Sequence, residues 1–336
     1  MTMPFNAIDV VDMHTGGEPV RIITSGYPPI PSGTILEKRA YVRDRLDDYR
    51  RMLMFEPRGH FDMYGALLVE PNLPGADLAV LFMHNEGYST MCGHAVIALG
   101  RYAVDQGLVE AVEPVTVVNI ECPCGMVVAH VEVADGKAGA VSFESVPAFL
   151  FAADQTVEVP GYGAITCDIA YGGAFYALAD AGQFDLEFGR SRIRDFVDAA
   201  TALTEAAKIA VPLSHPDHAD LAFLYGSILT DGGDGSTRPS TNVCVFADAQ
   251  VDRSPTGSGV TARLAAMHAK KPLPQDEMRT FRSITGADFT GAVVRREKLG
   301  EFDAVVARVS GRAFYSGTAR FSVEADDPLA AGFLLR

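Results

Sequence analysis

Two stretches decide how this sequence is interpreted: Met91-Cys-Gly-His-Ala-Val-Ile-Ala-Leu-Gly (91–100) and Pro255-Thr-Gly-Ser-Gly-Val-Thr-Ala-Arg-Leu (255–264). When Cys92 is aligned with Thr256, the two stretches also share a glycine, a valine and an alanine at equivalent positions. The aligned residues lie 164 positions apart in a chain of 336 residues, close to half of its length. This spacing indicates a duplicated domain, and the length is typical of about two domains.

The remaining sequence predicts many strands and few helices. Short runs rich in β-branched and apolar residues, separated by Gly, Pro and Asn, predict strands at residues 8–13, 66–69, 78–83, 115–120 and 126–133. Apolar residues at helical spacing predict helices at residues 36–54, 95–105, 190–208 and 259–269. A turn is expected at Gly16-Gly17. The fold class is therefore α/β (α+β), without the regular alternation of strand and helix that builds a parallel sheet.

Composition excludes several classes of protein. The formal net charge of −15 disfavours a nucleic-acid partner, because an acidic surface repels phosphate backbones. No signal peptide and no apolar run long enough for a membrane span is visible, so a cytoplasmic protein is expected. The five cysteines are odd in number and do not form a disulfide framework.

The two glycine turns suggest a site that binds a carboxylate and holds a reactive thiol. The first turn of a helix presents unpaired N–H groups and the positive end of the helix dipole, which favour a bound carboxylate and a thiolate. Cys92 at a helix start is therefore a candidate base, with Thr256 on the other face of a bound amino acid. Each residue also has a structural interpretation: Cys92 as buried packing, Thr256 as a helix N-cap, His94 as a local hydrogen-bonding residue, and Asp252 with Arg253 as a solvated turn pair.

Metal and cofactor motifs are weak. Cys122-Pro-Cys124 with His130 lacks the usual Cys-x-x-Cys spacing and a second pair, and His215-Pro-Asp-His218 stands in a loop without further ligands. The loop Asp231-Gly-Gly-Asp-Gly-Ser lacks the Gly-Lys-Ser/Thr ending of a phosphate-binding loop. No metal and no cofactor is expected.

Several motifs, in order along the chain, resemble the proline racemase family from about residue 10 onward. They are His14-Thr-Gly-Gly-Glu-Pro, Glu56-Pro-Arg-Gly-His-Phe-Asp-Met-Tyr-Gly, Met91-Cys-Gly-His, Gly172-Gly-Ala-Phe-Tyr-Ala and Asp252-Arg-Ser-Pro-Thr-Gly-Ser-Gly. Two positions depart from the family pattern. Ala174 stands where many members have Asn, and Thr256 stands where the racemases have a second Cys.

The departure at Thr256 changes the expected reaction. The racemases and epimerases use two thiols, and a threonine hydroxyl is too weak an acid to replace one near neutral pH. The Cys/Thr pair resembles the branch that dehydrates trans-3-hydroxy-L-proline, so a small-molecule hydroxyproline is the expected partner. A 4-hydroxyproline epimerase or proline racemase is the first alternative, and a non-catalytic amino-acid-binding protein is the second.

The resemblance also implies a fold and a site. The fold is that of diaminopimelate epimerase, with two similar domains, each having a sheet wrapped around a central helix. The expected domains are residues 1–147 with 320–336, carrying Cys92, and residues 148–319, carrying Thr256, with the active site in the cleft between them. The implied catalytic residues are Cys92 and Thr256, and the implied substrate-binding residues are Tyr64, Gly93, His94, Phe246, Asp252, Gly257 and Ser258. A homodimer is left open.

Overall fold

The structure, a computed structural model, describes residues 7–335. The chain divides into two compact units. Within the described residues, the first unit comprises residues 7–90, 94–141 and 312–335, and the second comprises Met91–Gly93 and Ser142–Gly311. Strands dominate both units and the helices are few, which confirms the predicted mixed α/β class.

The first unit is built on a ladder of seven strands. Their bounds are β1 (Ile8–Thr15), β2 (Glu18–Ser25), β3 (Tyr64–Val69), β4 (Leu78–His84), β5 (Val115–Cys122), β6 (Gly125–Ala134) and β17 (Ala313–Phe321). They pair in the order β17, β1, β2, β3, β4, β5, β6. The pairs β2–β3 and β4–β5 are parallel and the others are antiparallel. A further strand, β7 (Lys137–Glu144), contains the boundary between the units.

The single helix predicted at residues 36–54 is wrong, because two helices are present, α1 (Ile35–Arg45) and α2 (Asp47–Met54). Leu46 has φ −129° and ψ 16°, so it leaves the helical conformation and separates the two. The break suits a tertiary contact, since the Arg50 side chain pairs with Asp47 at 2.6 Å and donates to the carbonyl of His84 at 2.8 Å. Helical spacing in the sequence carries no information about that contact.

Helix α3 (Gly93–Asp105) packs in the core of the first unit. A Cβ atom at Gly100 would lie 3.1 Å from Val141 of β7 and 3.3 Å from Ala129 of β6, so the helix lies directly against these strands. Arg101, further along the helix, donates to the carbonyl of Ala313 at 2.6 Å and ties the helix to β17. The predicted helix at residues 95–105 is thereby confirmed, with a start two residues earlier.

Eight strands of the second unit close into a ring. The strands of this unit are β8 (Ala148–Val159), β9 (Gly163–Tyr171), β10 (Phe175–Asp180), β11 (Leu224–Thr230), β12 (Ser240–Phe246), β13 (Gln250–Asp252), β14 (Arg279–Arg282), β15 (Asp288–Leu299) and β16 (Phe302–Gly311). The ring runs β8, β9, β10, β11, β12, β14, β15, β16 and returns to β8. The short strand β13 pairs with β12 beside the ring.

Helix α5 (Gly257–Lys270) is the central helix of the second unit. It contacts β8, β9, β10, β15 and β16, and its residues 257–266 are all buried. A helix that is buried on every side belongs to the core, which agrees with the predicted helix at residues 259–269. The other helix of this unit, α4 (Ile193–Ala210), replaces the predicted 190–208. It begins later because the Arg192 backbone N–H is accepted by Asp195 at 3.1 Å, as at a helix start.

The predicted turn between β1 and β2 is confirmed, since Gly16 and Gly17 have φ angles of 62° and 90°. Positive φ at both central residues is typical of a tight hairpin and favours glycine. Within residues 7–335, none of the helices combines the length and the apolar character needed to cross a membrane.

Candidate active site

The two glycine turns singled out in the sequence meet in the second unit. A Cβ atom built on Gly93 would lie 2.4 Å from the Cα of Gly257, and one built on Gly257 would lie 2.6 Å from the Cα of Gly93. The backbones are thus in direct contact, and only glycine fits on either side. Since neighbouring Cα atoms are 3.8 Å apart, the Cα atoms of Cys92 and Thr256 lie within roughly 12 Å of each other.

Thr256 is held in an unusual conformation directly before α5. Its φ of 66° and ψ of 95° place a β-branched residue in a region that it rarely adopts, and such strain clusters at functional sites. Thr256 occupies the N-cap position of α5, as the sequence suggested, but its side chain makes no helix-capping hydrogen bond. Its hydroxyl is buried and has no hydrogen-bond partner within residues 7–335. Buried hydroxyls are normally paired, so this one is available to a ligand.

Cys92 stands immediately before α3 and is 5% exposed. Two other thiols, those of Cys124 and Cys167, are unsuited to act as a base. Burial raises the pKa of the Cys124 thiol to about 12 and that of Cys167 to about 11, so neither is a thiolate near neutral pH. Of the cysteines, only Cys92 is placed at one of the two opposed glycine turns.

A chain of local hydrogen bonds shapes the turn that leads to Thr256. The carboxylate of Asp252, at the end of β13, accepts the backbone N–H of Ser254 at 2.7 Å. The hydroxyl of Ser254 in turn accepts the backbone N–H of Thr256 at 3.1 Å. Asp252 is only 4% exposed, so a buried carboxylate lies beside the turn. A buried carboxylate is suited to a cationic group of a ligand.

Helix α5 supports the same turn from behind. Asn242 donates to the carbonyl of Pro255 at 3.2 Å, and its own amide oxygen accepts from Arg263 at 3.0 Å. Arg263 also donates to Ser240 at 2.6 Å. Burial lowers the pKa of Arg263 to about 10, which leaves the guanidinium charged near neutral pH. Arg263 and Asn242 could not be identified from the sequence, because their partners are distant along the chain.

Aromatic rings form a wall near the start of α5. Phe246 stacks on Tyr225 at 5.3 Å between ring centroids, and Tyr225 meets Tyr176 edge-on at 5.9 Å. The hydroxyls of Tyr176 and Ser258 are 2.7 Å apart and hydrogen-bonded. Burial, and then the nearby Cys244, raise the pKa of Tyr176, which keeps its hydroxyl protonated. The motif at residues 172–177 contains Tyr176, but nothing in the sequence indicates the bond of this residue to Ser258.

The lack of a side chain at Gly172 lets the segment of residues 172–177 lie close against α5. A Cβ atom at Gly172 would lie 2.2 Å from the carbonyl oxygen of Ser258 and 2.6 Å from the backbone nitrogen of Ala262. The segment therefore lies against the first turns of α5, and a side chain at residue 172 would push it away. Ala174, where many family members have Asn, is buried at 2% exposure, and its carbonyl accepts the N–H of Gly172 at 3.0 Å.

The remaining two predicted residues, Tyr64 and His94, lie in the first unit. Their rings meet edge-on with centroids 4.9 Å apart. The Tyr64 hydroxyl is hydrogen-bonded to Ser89, and the carbonyl of His94 accepts from the hydroxyl of Thr15 at 2.8 Å. Both residues are buried, and these contacts hold His94 at the start of α3.

Metal coordination is not supported by the side chains of residues 7–335, among which no group of three or more His, Cys, Asp or Glu could hold an ion. Cys122 pairs with Gly125 at the tip of the β5–β6 hairpin, whereas His130 pairs with Val117 further along it. His215 and His218 stack with ring centroids 6.3 Å apart, and the Nδ1 atom of His215 accepts two backbone N–H groups.

The second-unit residues together suit a small zwitterion. The first turn of α5 offers backbone N–H groups to a carboxylate. The Asp252 carboxylate offers a partner to an ammonium group, and the rings offer an apolar wall. The two contacting glycine turns differ in the residue that precedes each glycine, Cys92 at one turn and Thr256 at the other.

The chain is similar to proteins of one known family. The sequence profile of the proline racemase family matches residues 10–334. The human trans-3-hydroxy-L-proline dehydratase is 58% identical over 335 residues, covering 98% of this chain and 95% of the human protein. The trans-L-3-hydroxyproline dehydratase of Xenopus tropicalis is also 58% identical, over 332 residues, with the same coverage. The Burkholderia cenocepacia trans-3-hydroxy-L-proline dehydratase is 43% identical and covers 98% of both chains.

Solved structures share the fold. A hydroxyproline epimerase from Agrobacterium vitis with bound trans-4-hydroxy-L-proline superimposes with a TM-score of 0.93 at 28% identity, covering 99% of this chain and 96% of the other. A probable proline racemase from Agrobacterium radiobacter with bound carbonate has a TM-score of 0.92 at 30% identity, covering 98% and 96%. A methylitaconate-delta-isomerase, with a TM-score of 0.53 at 13% identity and coverage of 95% and 96%, shows likeness of fold alone.

Proposed function

This chain belongs to the proline racemase family, and we propose that it is a hydro-lyase that removes water from trans-3-hydroxy-L-proline. The observation that carries the proposal is the pairing of one thiol with one hydroxyl at two glycine turns in contact, Cys92 before Gly93 and Thr256 before Gly257. A pair of thiols suits inversion at the α-carbon, whereas a single thiol suits an elimination that needs one base. The names of the relatives that are 58% identical support the same reaction.

The stereochemistry of the substrate requires only one base. In trans-3-hydroxy-L-proline the carboxylate and the 3-hydroxyl lie on opposite faces of the ring, so the α-hydrogen shares a face with the hydroxyl. Cys92 removes the α-proton, the electron pair forms the double bond between C2 and C3, and the C3–O bond breaks. The departing oxygen takes up that proton from the Cys92 thiol on the same face and leaves as water, which regenerates the thiolate. The product, Δ2-pyrroline-2-carboxylate, tautomerises to Δ1-pyrroline-2-carboxylate.

The other residues of the proposed site bind the substrate and stabilise the negative charge that develops on it. The backbone N–H groups of Gly93, His94, Gly257 and Ser258 hold the carboxylate, and they stabilise the negative charge that develops when the weakly acidic α-proton leaves. Asp252 holds the ring ammonium. Phe246 provides an aromatic wall. Thr256 lines the face opposite Cys92, where no acid is needed.

NMR in D2O, with trans-3-hydroxy-L-proline, trans-4-hydroxy-L-proline and L-proline in separate tubes, tests the proposal. We expect conversion of only the first, to the cyclic imine, without ammonia and without an added cofactor. Inversion of either of the other two would instead make the protein an epimerase or racemase. Tight binding of a ligand with no turnover of any of the three would make it a non-catalytic amino-acid-binding protein.

A pair of cysteine variants separates catalysis from packing. Cys92→Ala is expected to lower dehydration at least a thousand-fold while the protein stays folded, because the general base is lost. Cys167→Ala is the matched control, since this thiol is equally buried but stands on β9 away from the two turns. Equal turnover by both variants would show that Cys92 is not the base.

A further inference from the structure

Gln250 is a buried side chain whose amide is unsatisfied. It is the first residue of β13 and is 0% exposed. Neither its Nε2 nor its Oε1 atom has a hydrogen-bond partner among residues 7–335. Buried amides are almost always paired, because burial without a partner forfeits the hydrogen bonds made in water. A polar side chain retained in this state points to a ligand that pairs with it.

Strand register places Gln250 on the face that carries the proposed site. Gln250 is paired with Phe246 across β12 and β13, and Asp252 is paired with Cys244. Side chains of directly paired residues, and of residues two apart on a strand, point to the same face of a sheet. Gln250 therefore shares a face with Phe246 and Asp252, the aromatic wall and the carboxylate of the proposed site.

The order of residues along β13 indicates which part of a ligand Gln250 meets. The strand leads through Asp252 to Thr256 and the first turn of α5. Gln250 precedes Asp252 by two residues, about 7 Å along the strand, on the side away from the helix start. A ligand held by its carboxylate at the helix start, with its ammonium at Asp252, therefore presents the outer part of its ring to Gln250 and Phe246.

The hydrogen-bond donors and acceptor of an amide side chain can pair with a hydroxyl group. An amide side chain offers both donors and an acceptor, as a hydroxyl does, and carries no charge. A ligand carboxylate or ammonium at this position would call for a charged partner, and the plain ring of proline would leave the amide unsatisfied. We propose that Gln250 recognises the ring hydroxyl of the substrate and makes the site selective for hydroxylated proline over proline. The inference rests on the proposed function for the placement of the ring.

Calorimetric binding to the non-reacting Cys92→Ala protein tests this inference. The ligands are trans-3-hydroxy-L-proline, trans-4-hydroxy-L-proline and L-proline, each titrated into Cys92→Ala alone and into Cys92→Ala combined with Gln250→Met. Methionine has a similar length and no hydrogen-bonding amide, so the fold is expected to be retained. We expect Gln250→Met to raise the Kd of trans-3-hydroxy-L-proline at least ten-fold and that of L-proline less than two-fold. The matched control is Gln155→Met on β8, whose amide donates to Ala153 at 2.7 Å, and we expect it to change neither Kd.

Two outcomes would overturn the inference. Unchanged binding of every ligand would show that the amide meets none of them. Equal weakening of proline and hydroxyproline would indicate a structural role, such as holding a buried water. The proposed function is decided separately by the NMR assay. If the substrate there is trans-4-hydroxy-L-proline, the dehydratase proposal fails, while selective loss of that ligand in Gln250→Met still supports hydroxyl recognition by Gln250.

Discussion

At the scale of the residue, Thr256 carries the distinction between two reactions. A thiol has an ordinary pKa of about 8.5 and supplies both a base and an acid near neutral pH, whereas an aliphatic hydroxyl ionises far too little to do so. The Thr256 hydroxyl is nevertheless buried without a partner in the described chain, and its backbone is strained at φ 66°. Both features are expected of a residue kept for its contact with a ligand rather than for folding.

We predict that Thr256→Cys adds inversion to the activity of the protein. The new thiol would stand on the face opposite Cys92 and return a proton there, so L-proline or trans-4-hydroxy-L-proline would exchange its α-hydrogen with inversion. Chiral chromatography measures the inversion, and incorporation of deuterium from D2O measures the exchange. Dehydration that persists with no inversion at all would contradict the proposed placement of residues 92 and 256 on opposite faces of the substrate.

We predict that Gly93→Ala damages both stability and turnover. Its Cβ would lie 2.4 Å from the Cα of Gly257, so the two turns must separate. Overpacking of this kind costs about 1–3 kcal/mol of unfolding free energy, and displaced N–H groups would lower turnover at least ten-fold. Urea unfolding and initial rates measure the two effects. Gly317→Ala is the matched control, because a Cβ there meets nothing within 4 Å. Wild-type rates in Gly93→Ala would show that this contact does not position the site.

At the scale of the element, an aromatic cluster joins three strands of the second unit. Phe149 of β8 stacks on Tyr171 of β9 at 5.3 Å, and Phe175 of β10 lies 4.9 Å from Tyr171. His215, from the loop before β11, packs edge-on against Tyr171 at 4.8 Å. The ring of His215 accepts backbone N–H groups from Asp217 and His218 through Nδ1, and a proton on that atom would break both bonds. Burial lowers the pKa of His215, with Asp217 acting in the opposite direction.

This geometry predicts a loss of stability on the acid side of neutrality. The folded pKa of His215 lies below the unfolded value of about 6.5, so the unfolded chain binds more protons and stability falls as pH decreases through that interval. His268, whose pKa is also lowered by burial, contributes in the same direction. We expect the unfolding free energy to fall between pH 7.5 and 5.5, and to fall less in His215→Gln, measured by urea titration. His60→Gln, at an exposed ring, is the matched control. An unchanged slope in His215→Gln would exclude this residue as the source.

At the scale of the whole molecule, the first unit depends on the end of the chain. Strand β17 pairs with β1 from Ile8↔Phe321 to Thr15↔Ala313, which joins residues about 300 positions apart in sequence. Beyond the strand, the contacts are sparser. Arg58 forms an ion pair with Asp327 at 3.1 Å, and Glu56 bridges to Phe333.

We predict that two truncations differ sharply. A chain ending at Gly311 loses β17 and leaves the edge of β1 unpaired, so we expect it to aggregate or to unfold without a cooperative transition. A chain ending at Phe321 keeps the strand and should melt cooperatively, a few degrees below the full chain. Differential scanning calorimetry of the three chains measures this. Cooperative melting of the shorter chain near the full-length temperature would mean that the sheet of the first unit does not need its last strand.

The family, the mixed α/β class, five strands of the first unit and the approximate positions of the helices could be predicted from the amino-acid sequence alone. These features depend on local chemistry: periodic apolar residues, glycine turns, and the motifs around Cys92 and Thr256. The resemblance to the proline racemase family, seen first in those motifs, is confirmed by the match to residues 10–334. The domain boundaries and the roles of the site residues stay predictions.

Contacts between distant residues could not be predicted from the sequence and are visible in the folded protein alone. The contact of Gly93 with Gly257, the bond between Tyr176 and Ser258, and the support of the Pro255 carbonyl by Asn242 all join segments separated in sequence. The burial of Gln250 with an unsatisfied amide is likewise invisible in the sequence, where it is one polar residue before a turn. The physical reason is the same in each case. Local patterns specify conformation over a few residues, whereas burial and partners depend on how strands far apart in the chain come to pair.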